Sequence, residues 1–317
     1  MHLNNDKNKS ITKAHKSQIN CLQYFHNENI DEKIDYIISL SENDKDILKI
    51  WLLLDQKDLE IKLKKNINYL NKKIEKFCMF NNKYYSKENS YLFIYGENAN
   101  NIINNNYLKN KDIICYKIDN ELNLINWNKP EHNEMEMHID NKEKINYLDT
   151  FYYSKNKKIY LINCNYKNVN VIIIKDNPFD DYIKIFFNNN QEMWHINAFI
   201  VERNNNLELI ELNVEGIYIW KINMNNLSEF QIKINIGNAY TFDMCLWNND
   251  YLWASTSEGY KLIQISLNKN ISIEIEKCTF KTYSKIRKIY SPIEGYSIIG
   301  LDIKNNLCLW PIICEAK

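Results

Sequence analysis

The fold is decided by the stretch Leu207-Glu-Leu-Ile-Glu-Leu-Asn-Val-Glu-Gly-Ile-Tyr-Ile-Trp220. Apolar and β-branched residues dominate it on both sides of Val214-Glu215-Gly216, a segment typical of a tight turn. The stretch therefore predicts a β-hairpin whose second strand ends on Trp220. The same pattern returns elsewhere along the chain, at residues 36–51, 112–127, 158–174, 251–265 and 296–310.

The hairpins are regularly spaced along most of the chain. Their closing positions are 51, 127, 174, 220, 265 and 310, and the last five lie 47, 46, 45 and 45 residues apart. A period of about 40–45 residues built from short strands is typical of a β-propeller, whose four-stranded blades stack radially to bury both faces. Helical repeats would need apolar residues at i, i+3, i+4 and i+7, which these units lack. The sequence therefore predicts an all-β fold.

The first repeat, residues 11–51, resembles a WD40 repeat. An Ala-His pair at 14–15 stands where that family has Gly-His, and hydroxyl, carboxylate and indole side chains follow in the family's order. In WD40 repeats these groups form a hydrogen-bond chain inside the blade. The resemblance therefore implies a structural set made of His15, Ser39, Ser41, Asp44 and Trp51.

Later repeats keep only part of this pattern. Trp220 and Trp310 hold the closing position, Ile174 and Ile265 replace it, and no closing Trp is followed by Asp. His195, at the start of a predicted first strand, resembles the opening His of the family. The chain as a whole is similar to a divergent WD40-like propeller, and the likeness in period covers most of its length.

One propeller accounts for nearly all of the 317 residues. We expect a loose N-terminal segment over 1–10 and a propeller domain over 11–317. The interval from 51 to 127 is too long for one ordinary blade and too short for two. Seven blades of four antiparallel strands are favoured, because seven is the common closure in the family; six blades, one with a long insertion, are the alternative. Residues 2–14 show no clear strand pattern, so the ring is either imperfectly closed or completed by a strand from a partner.

Composition limits the functional classes. Basic and acidic residues balance at 40 each, which removes any global argument for nucleic acid or an anionic membrane as partner. The eight cysteines contain no Cys-x-x-Cys pair, and most lie in apolar runs, which fits a reducing compartment. The N-terminal residues have no apolar signal core, and no run reaches about 18 apolar residues. We therefore expect an intracellular protein of the cytoplasm or nucleus without membrane insertion.

No motif for a cofactor or for catalysis is present. The sequence lacks a Gly-rich phosphate loop, a Gly-x-Ser-x-Gly elbow and a His-Glu-x-x-His motif, so no cofactor and no metal are expected. His132 and His138 lie among carboxylates, where a solvated linker is favoured over a metal site. The arginines, Arg203 and Arg287, do not match the paired-Arg loop of phosphoinositide-binding propellers.

These observations favour a non-catalytic scaffold, a WD40-like subunit that binds the other proteins of a complex. Aromatic and Met side chains outside the main strands are the candidate contact residues: Tyr84, Tyr85, Met135 and Met137. The alternative is a hydrolase acting at the mouth of the central channel. Its acid–base chemistry would rest on Asp149 and Asp243, the acids of the predicted first strands.

Overall fold

The computed structural model describes residues 2–3, 9–11, 19–28, 33–41, 47–55, 60–68, 72–80, 90–98, 111–118, 135–137, 144–174, 182–187, 194–203, 205–222, 229–234, 241–247, 251–256, 261–267, 273–281, 286–290, 297–302 and 307–313. Every helix or strand assigned within these ranges is a β-strand. The same ranges hold no helix with the length and apolarity that a membrane crossing requires.

The described strands form six antiparallel sheets, which we call blades 1 to 6. Two N-terminal strands, β1 (His2–Leu3) and β2 (Lys9–Ile11), belong to blade 6. Blades 1 to 3 consist of β3 (Ile19–Glu28), β4 (Lys33–Ser41), β5 (Ile47–Asp55) and β6 (Glu60–Asn68); β7 (Lys72–Phe80), β8 (Ser90–Asn98), β9 (Lys111–Ile118) and β10 (Met135–Met137); and β11 (Tyr147–Tyr153), β12 (Lys158–Cys164), β13 (Val169–Ile174) and β14 (Tyr182–Phe187).

Blades 4 to 6 continue in chain order. They consist of β15 (His195–Arg203), β16 (Asn206–Asn213), β17 (Gly216–Lys221) and β18 (Glu229–Ile234); β19 (Thr241–Trp247), β20 (Tyr251–Thr256), β21 (Lys261–Leu267) and β22 (Ile273–Lys281); and β23 (Ile286–Tyr290), β24 (Ser297–Asp302) and β25 (Leu307–Ile313) with the two N-terminal strands.

The first strands of the six blades contact one another in a closed circle. Strand β3 contacts β7, and the contacts continue through β11, β15, β19 and β23 back to β3. Sheets arranged radially around such a circle form a β-propeller. The predicted all-β propeller is therefore confirmed.

Six blades account for the described strands, where the sequence favoured seven. The third strand of blade 2 is β9, which pairs with β8 on one side and with β10 on the other. The strand expected over 122–127 falls outside the described residues. Residues 99–110 and 119–134, on either side of β9, lie outside the described residues. The seventh blade has no counterpart in the described part of the chain, and the six-bladed alternative fits it.

Blade 6 obtains its outer edge from the N-terminal segment of the same chain. Strand β2 pairs with Leu307–Leu309 of β25, and β1 pairs with Ile312 and Ile313 farther along the same strand. Strand β1 and the first two residues of β2 fall within the segment 1–10, which was expected to be loose. These strands could not be recognised in the sequence, because their pairing is made by backbone hydrogen bonds, which any residue can form, and no alternation of apolar and polar side chains marks it. The outer edge of blade 6 is thus covered in cis, and a partner strand is not needed there.

The core lies between neighbouring blades. Successive side chains of a strand point to opposite faces, so β12 sends Ile159 and Leu161 toward blade 2 and Tyr160, Ile162 and Cys164 toward blade 4. A strand buried on both faces must be apolar at nearly every position, which explains the continuous apolar runs of the repeats. Among the described residues such cores fill the spaces from blade 1 through blade 5.

The N-terminal strands should stabilise the ring measurably. Deleting residues 1–11 removes the five residues that pair with β25 and should lower the free energy of unfolding by about 3 kcal/mol, since each net backbone hydrogen bond contributes about 1 kcal/mol. Thermal unfolding followed by circular dichroism measures the loss as a lower Tm. A Tm equal to that of the full chain would contradict the pairing.

A synthetic peptide of residues 1–18 provides the control. Added in excess, it should raise the Tm of the truncated protein toward that of the full chain, because it can occupy the vacated edge. The same peptide with Lys9→Pro, Ser10→Pro and Ile11→Pro should give no rescue, because proline cannot donate to a strand ladder.

Candidate functional site

Two of the five WD40-like residues meet inside blade 1. Trp51 on β5 donates its Nε1–H to Ser39 Oγ on β4 at 2.8 Å, and both side chains are buried. A buried indole N–H needs an acceptor, and the serine hydroxyl provides one. His15 and Asp44 lie outside the described residues, as does the side chain of Ser41 at the end of β4.

The equivalent position of blade 4 carries a carboxylate. In blade 1 the acceptor of the closing Trp51 is Ser39, which stands two positions after the residue that pairs with Trp51. In blade 4 Trp220 lies opposite Leu209, and two positions later stands Glu211. Trp220 donates its Nε1–H to Glu211 Oε2 at 2.9 Å. The two blades therefore satisfy the same buried indole with different side chains.

Glu211 also binds two further side chains. Its Oε1 lies 2.5 Å from His195 Nδ1 and 3.3 Å from Asn213 Nδ2, and both His195 and Glu211 are about 1% exposed. A carboxylate this deeply buried requires such partners, because its loss of hydration is otherwise uncompensated. His195 thus stands at the position that resembles the family's opening His, but it binds a carboxylate. Sequence reasoning missed Glu211, although its register relative to Trp220 was a usable signal.

The acceptor is absent where the closing residue is aliphatic. Ile174 lies opposite Ile159, and two positions later stands Leu161; the corresponding residue for Ile265 is Ala254. Blades 1 and 4 therefore have both the closing indole and its acceptor, and blades 3 and 5 have neither. Either group buried alone would lack its hydrogen-bond partner. Blade 6 differs, because a glycine stands at its acceptor position.

Polar side chains of the first strands connect neighbouring blades. Asp243 accepts hydrogen bonds from Asn197 Nδ2 at 2.6 Å and from the backbone N–H of Ile289 at 3.0 Å, so it joins blades 4, 5 and 6. Gln23 Oε1 accepts the N–H of Met79 at 2.9 Å, which joins blades 1 and 2. Asn197 and Asp243 each follow a β-bulge, a feature that redirects the side chains after it.

Asp149 connects blades 1 and 3. Its Oδ2 accepts from Tyr147 Oη–H at 2.7 Å, and its Oδ1 accepts from the N–H of Thr150 at 2.8 Å and from Gln23 Nε2 at 3.4 Å. Burial raises the pKa of Asp149 from its ordinary value of 3.8 to about 6, against the smaller lowering effect of the bonds from Tyr147 and Thr150. The carboxyl group is therefore a structural bridge with a raised pKa.

The two acids considered for a hydrolase, Asp149 and Asp243, thus both form hydrogen bonds to other blades, Asp149 to blade 1 and Asp243 to blades 4 and 6. No group of three or more His, Cys, Asp or Glu within the described ranges is arranged to hold a metal ion. His132 and His138 lie outside those ranges.

The cysteines whose side chains are described are free thiols: Cys21, Cys78, Cys115, Cys164 and Cys245. Burial is the main cause that raises the pKa of Cys78, Cys115 and Cys245, so these three side chains remain protonated at neutral pH. A protonated thiol is neither a good nucleophile nor a metal ligand. Their role in the structure is to fill apolar space between strands.

An exposed apolar patch lies at one end of blades 3 and 4. Trp194 is 56% exposed, Tyr166 43% and Val214 46%, and the rings of Trp194 and Tyr166 meet at 69° with their centroids 5.5 Å apart. The backbone N–H of Val214 donates to Trp194 O at 3.2 Å. We call these three residues the Trp194 surface. The remaining large exposed apolar side chain of the described residues, Leu63, lies on the outer strand of blade 1.

Topology places the three residues at the same end of the propeller. Trp194 directly precedes a first strand, whereas Tyr166 and Val214 lie in the turns that join second to third strands. In an antiparallel blade the start of the first strand and the turn after the second strand lie at the same end. An asparagine at the start of each turn holds it in place, since Asn165 Oδ1 accepts the N–H of Lys167 and Asn168, and Asn213 Oδ1 accepts the N–H of Glu215.

Buried hydrogen bonds to Glu211 in blade 4 hold the backbone of the Trp194 surface in place. Trp194 is joined to His195 and Val214 to Asn213, and both of those neighbours bind Glu211. Gly216 closes the turn after Val214 with φ of 147°, a conformation that favours glycine. The exposed side chains therefore project from a backbone that is fixed by buried contacts.

The contact residues expected from the sequence are not among the three residues of the Trp194 surface. Tyr84 and Tyr85 fall outside the described residues. Met135 and Met137 lie in β10, where they pair with Cys115 and Ile113, and their side chains are outside the described part. The Trp194 surface was missed because a Trp beside a strand looks the same in the sequence whether it is buried or exposed.

Comparisons with known proteins show the fold and nothing more specific. No protein family and no curated protein matches the sequence. Among solved structures the chain is similar to Raptor of Chaetomium thermophilum (TM-score 0.57, 10% identity), covering 100% of this chain but only 29% of Raptor. It is also similar to the β-propeller domain of Cps50 (Swd1) of Myceliophteria thermophila, with a TM-score of 0.54 and 10% identity over 96% of this chain and 100% of that one.

A third similar structure is BBS1N, solved in complex with ARL6DN, with a TM-score of 0.58 and 10% identity over 98% of this chain and 97% of that one. At such low identity the likeness concerns the arrangement of strands alone. The β-propeller expected from the sequence is confirmed at the level of the fold.

The Ser39–Trp51 hydrogen bond should appear as an energetic coupling. Ser39→Ala removes the acceptor of a buried N–H and should lower the free energy of unfolding by about 1–3 kcal/mol. In a Trp51→Phe background, where that donor is gone, the same change should cost about 1 kcal/mol less. Urea denaturation of the four proteins of this double-mutant cycle measures the coupling. Strictly additive effects would show that the pair does not interact.

Asp149 should make stability depend on pH. The pKa of Asp149 is higher in the folded state than the ordinary 3.8. Its contribution to the free energy of unfolding is therefore fully present below about pH 4 and is lost as the pH rises through about 6. Asp149→Asn should therefore stabilise the protein at pH 7 by up to about 3 kcal/mol and have little effect near pH 4.

Urea denaturation across this pH range tests that sign. Glu202→Gln is the matched control, since Glu202 is a partly exposed acid that pairs with Lys155 at the surface. An Asp149→Asn effect that does not change with pH, or that grows toward acid, would refute the raised pKa.

Proposed function

We propose that this protein is a non-catalytic interaction platform, a propeller subunit of an intracellular multiprotein complex in the cytoplasm or nucleus. The observation that carries the proposal is the Trp194 surface, where two aromatic side chains and a valine are exposed on a rigid backbone. Exposed Trp and Tyr side chains that are already ordered are the usual anchors of protein interfaces, since little entropy is lost when they bind.

The rest of the described structure supports a platform by its rigidity. The buried polar side chains of the first strands, including Gln23, Asn197 and Asp243, are engaged in contacts between blades. Asp149 and Asp243 consequently lend no specific support to the hydrolase alternative. A rigid ring offers its rims as surfaces that vary without disturbing the core.

One of the similar propellers is seen bound to another protein. The structure of BBS1N was solved in complex with ARL6DN, which shows that a propeller of this shape can serve as one partner of an assembly. Because fold does not determine function, this likeness supports the platform only as an analogy. The identity of the partners has to come from experiment.

Purification from the native cell tests the proposal. The C-terminally tagged protein should recover a fixed set of proteins at stoichiometric yield, identified by mass spectrometry. The double variant Trp194→Ser/Tyr166→Ser should bind at least one of these partner proteins with roughly 30-fold lower affinity and so recover less of it. This is the loss expected when an interface anchor that contributes about 2 kcal/mol is removed.

Leu63→Ser is the matched control, because it removes a similarly exposed apolar side chain from blade 1 and should leave recovery unchanged. Equal Tm values for the variants and the parent protein would show that folding is intact. A parent protein that purifies alone and monomeric would refute the platform. Full recovery by the double variant would exclude the Trp194 surface as the interface.

A further inference from the structure

Two buried asparagines lie side by side in blade 3. Asn163 on β12 pairs with Asn170 on β13 in the strand register, and both residues are 0% exposed. The amide nitrogen Nδ2 of Asn170 donates to Asn163 Oδ1 at 2.8 Å. This bond satisfies one amide group of each residue and leaves the amide nitrogen of Asn163 and the carbonyl oxygen of Asn170 for other partners.

These two remaining atoms are buried without a partner. Neither Asn163 Nδ2 nor Asn170 Oδ1 has a hydrogen bond within the described part of the chain. Buried amide groups are nearly always hydrogen-bonded to protein or to ordered water, because the loss of hydration is otherwise uncompensated. Turning both amides over only exchanges their roles, so the pair presents one donor and one acceptor in either arrangement.

The neighbours of the pair on the same face of blade 3 are apolar. Two positions away along the strands stand Leu161 and Ile172, and Leu148 of β11 lies opposite Asn163. All three belong to the core that blade 3 shares with blade 2. Because residues two positions apart lie on the same face of a strand, the asparagine pair belongs to this core as well. These three neighbours cannot supply the missing hydrogen bonds.

The pair also differs in size from the row beside it. Leu161 pairs with Ile172 in the next row of the same face, and asparagine has a smaller side chain than either residue. The row of two asparagines therefore holds less side-chain volume than its neighbour. A water molecule, which occupies about 30 Å³ in the liquid, is of a size to take up such a difference.

We propose that Asn163 and Asn170 form a binding site for a single internal water molecule in the core between blades 2 and 3. The water accepts a hydrogen bond from Asn163 Nδ2–H and donates one to Asn170 Oδ1. Internal waters make about two to four hydrogen bonds, and the pair supplies two of them. A metal cation does not suit the pair, because one of the two groups is an N–H donor.

This inference does not depend on the proposed platform function, but it concerns the strands that support part of the Trp194 surface. The turn that carries Tyr166 joins β12 to β13 directly. The water lies between the same two strands, one row from the last pair before the turn, Cys164 and Val169. Loss of partner binding from the Trp194 surface would therefore leave the water site untested, and the water needs a measurement of its own.

A high-resolution crystal structure of the full chain tests the site directly. It should show one isolated peak of density at about 2.7–3.2 Å from both Asn163 Nδ2 and Asn170 Oδ1, without a contact to bulk solvent. Absence of density between the two side chains, or a peak that contacts only one of them, would overturn the proposal. This measurement uses the parent protein, so it decides the question even if a variant fails to fold.

Oxygen-17 magnetic relaxation dispersion provides the test in solution, because it counts water molecules that are held inside a protein longer than the protein takes to rotate. The variant Asn163→Leu/Asn170→Leu should lose a dispersion amplitude equivalent to about one water molecule relative to the parent protein. Leu63→Ser, a surface change on the outer strand of blade 1, is the control and should leave the amplitude unchanged. An equal amplitude for the folded double variant and the parent protein would refute the site.

Discussion

Every blade of this protein must bury both of its faces, and the rest of the structure depends on that constraint. Alternate residues of β12 enter two different cores, one shared with blade 2 and one with blade 4. A sheet with two apolar faces cannot end in water without a large cost in hydration free energy. Repeating the blade therefore continues until the last one meets the first, as β23 meets β3.

Several polar groups inside this ring occur in matched sets. Ser39 and Trp51 form a matched pair, and Glu211 serves His195, Asn213 and Trp220 together. The carboxylate accommodates more donors than a hydroxyl can, because its two oxygens accept several hydrogen bonds. Blade 4 thereby fixes two surface segments with one buried residue, and its rim is ordered in a way that apolar packing alone does not ensure.

The repeats could be read from the sequence wherever connections are short. The hairpins expected over 158–174, 207–220 and 251–265 correspond to the strand pairs β12–β13, β16–β17 and β20–β21 of the structure, because turn residues interrupt each apolar run. Blade 2 could not be predicted in this way, since the interval from 51 to 127 matches the length of neither one blade nor two. The N-terminal strands were not predicted, because Lys9–Ile11 has no apolar pattern and its pairing depends on a strand at the far end of the chain.

The candidate site was less accessible to sequence reasoning for a related reason. The roles of Glu211 and Trp194 depend on register and exposure, which arise only when separate segments come together. Glu211 looks like a surface residue of an amphipathic strand, yet its side chain is buried; Trp194 looks like a core residue, yet more than half of it is exposed. In a chain with 22 tyrosines and 7 tryptophans, composition cannot single out the rings that face solvent.

The pairing of β2 with β25 also sets an order of events during synthesis. The first of these strands leaves the ribosome long before the second, so the early blades must persist with one face uncovered until nearly the whole domain has been made. Contacts between residues this distant in the chain form slowly, because a large loop must close first. Ring closure therefore acts as a test of completeness: a chain interrupted before β25 retains its N-terminal strands without a partner and displays apolar faces for which the cell's chaperones and proteases can recognise it.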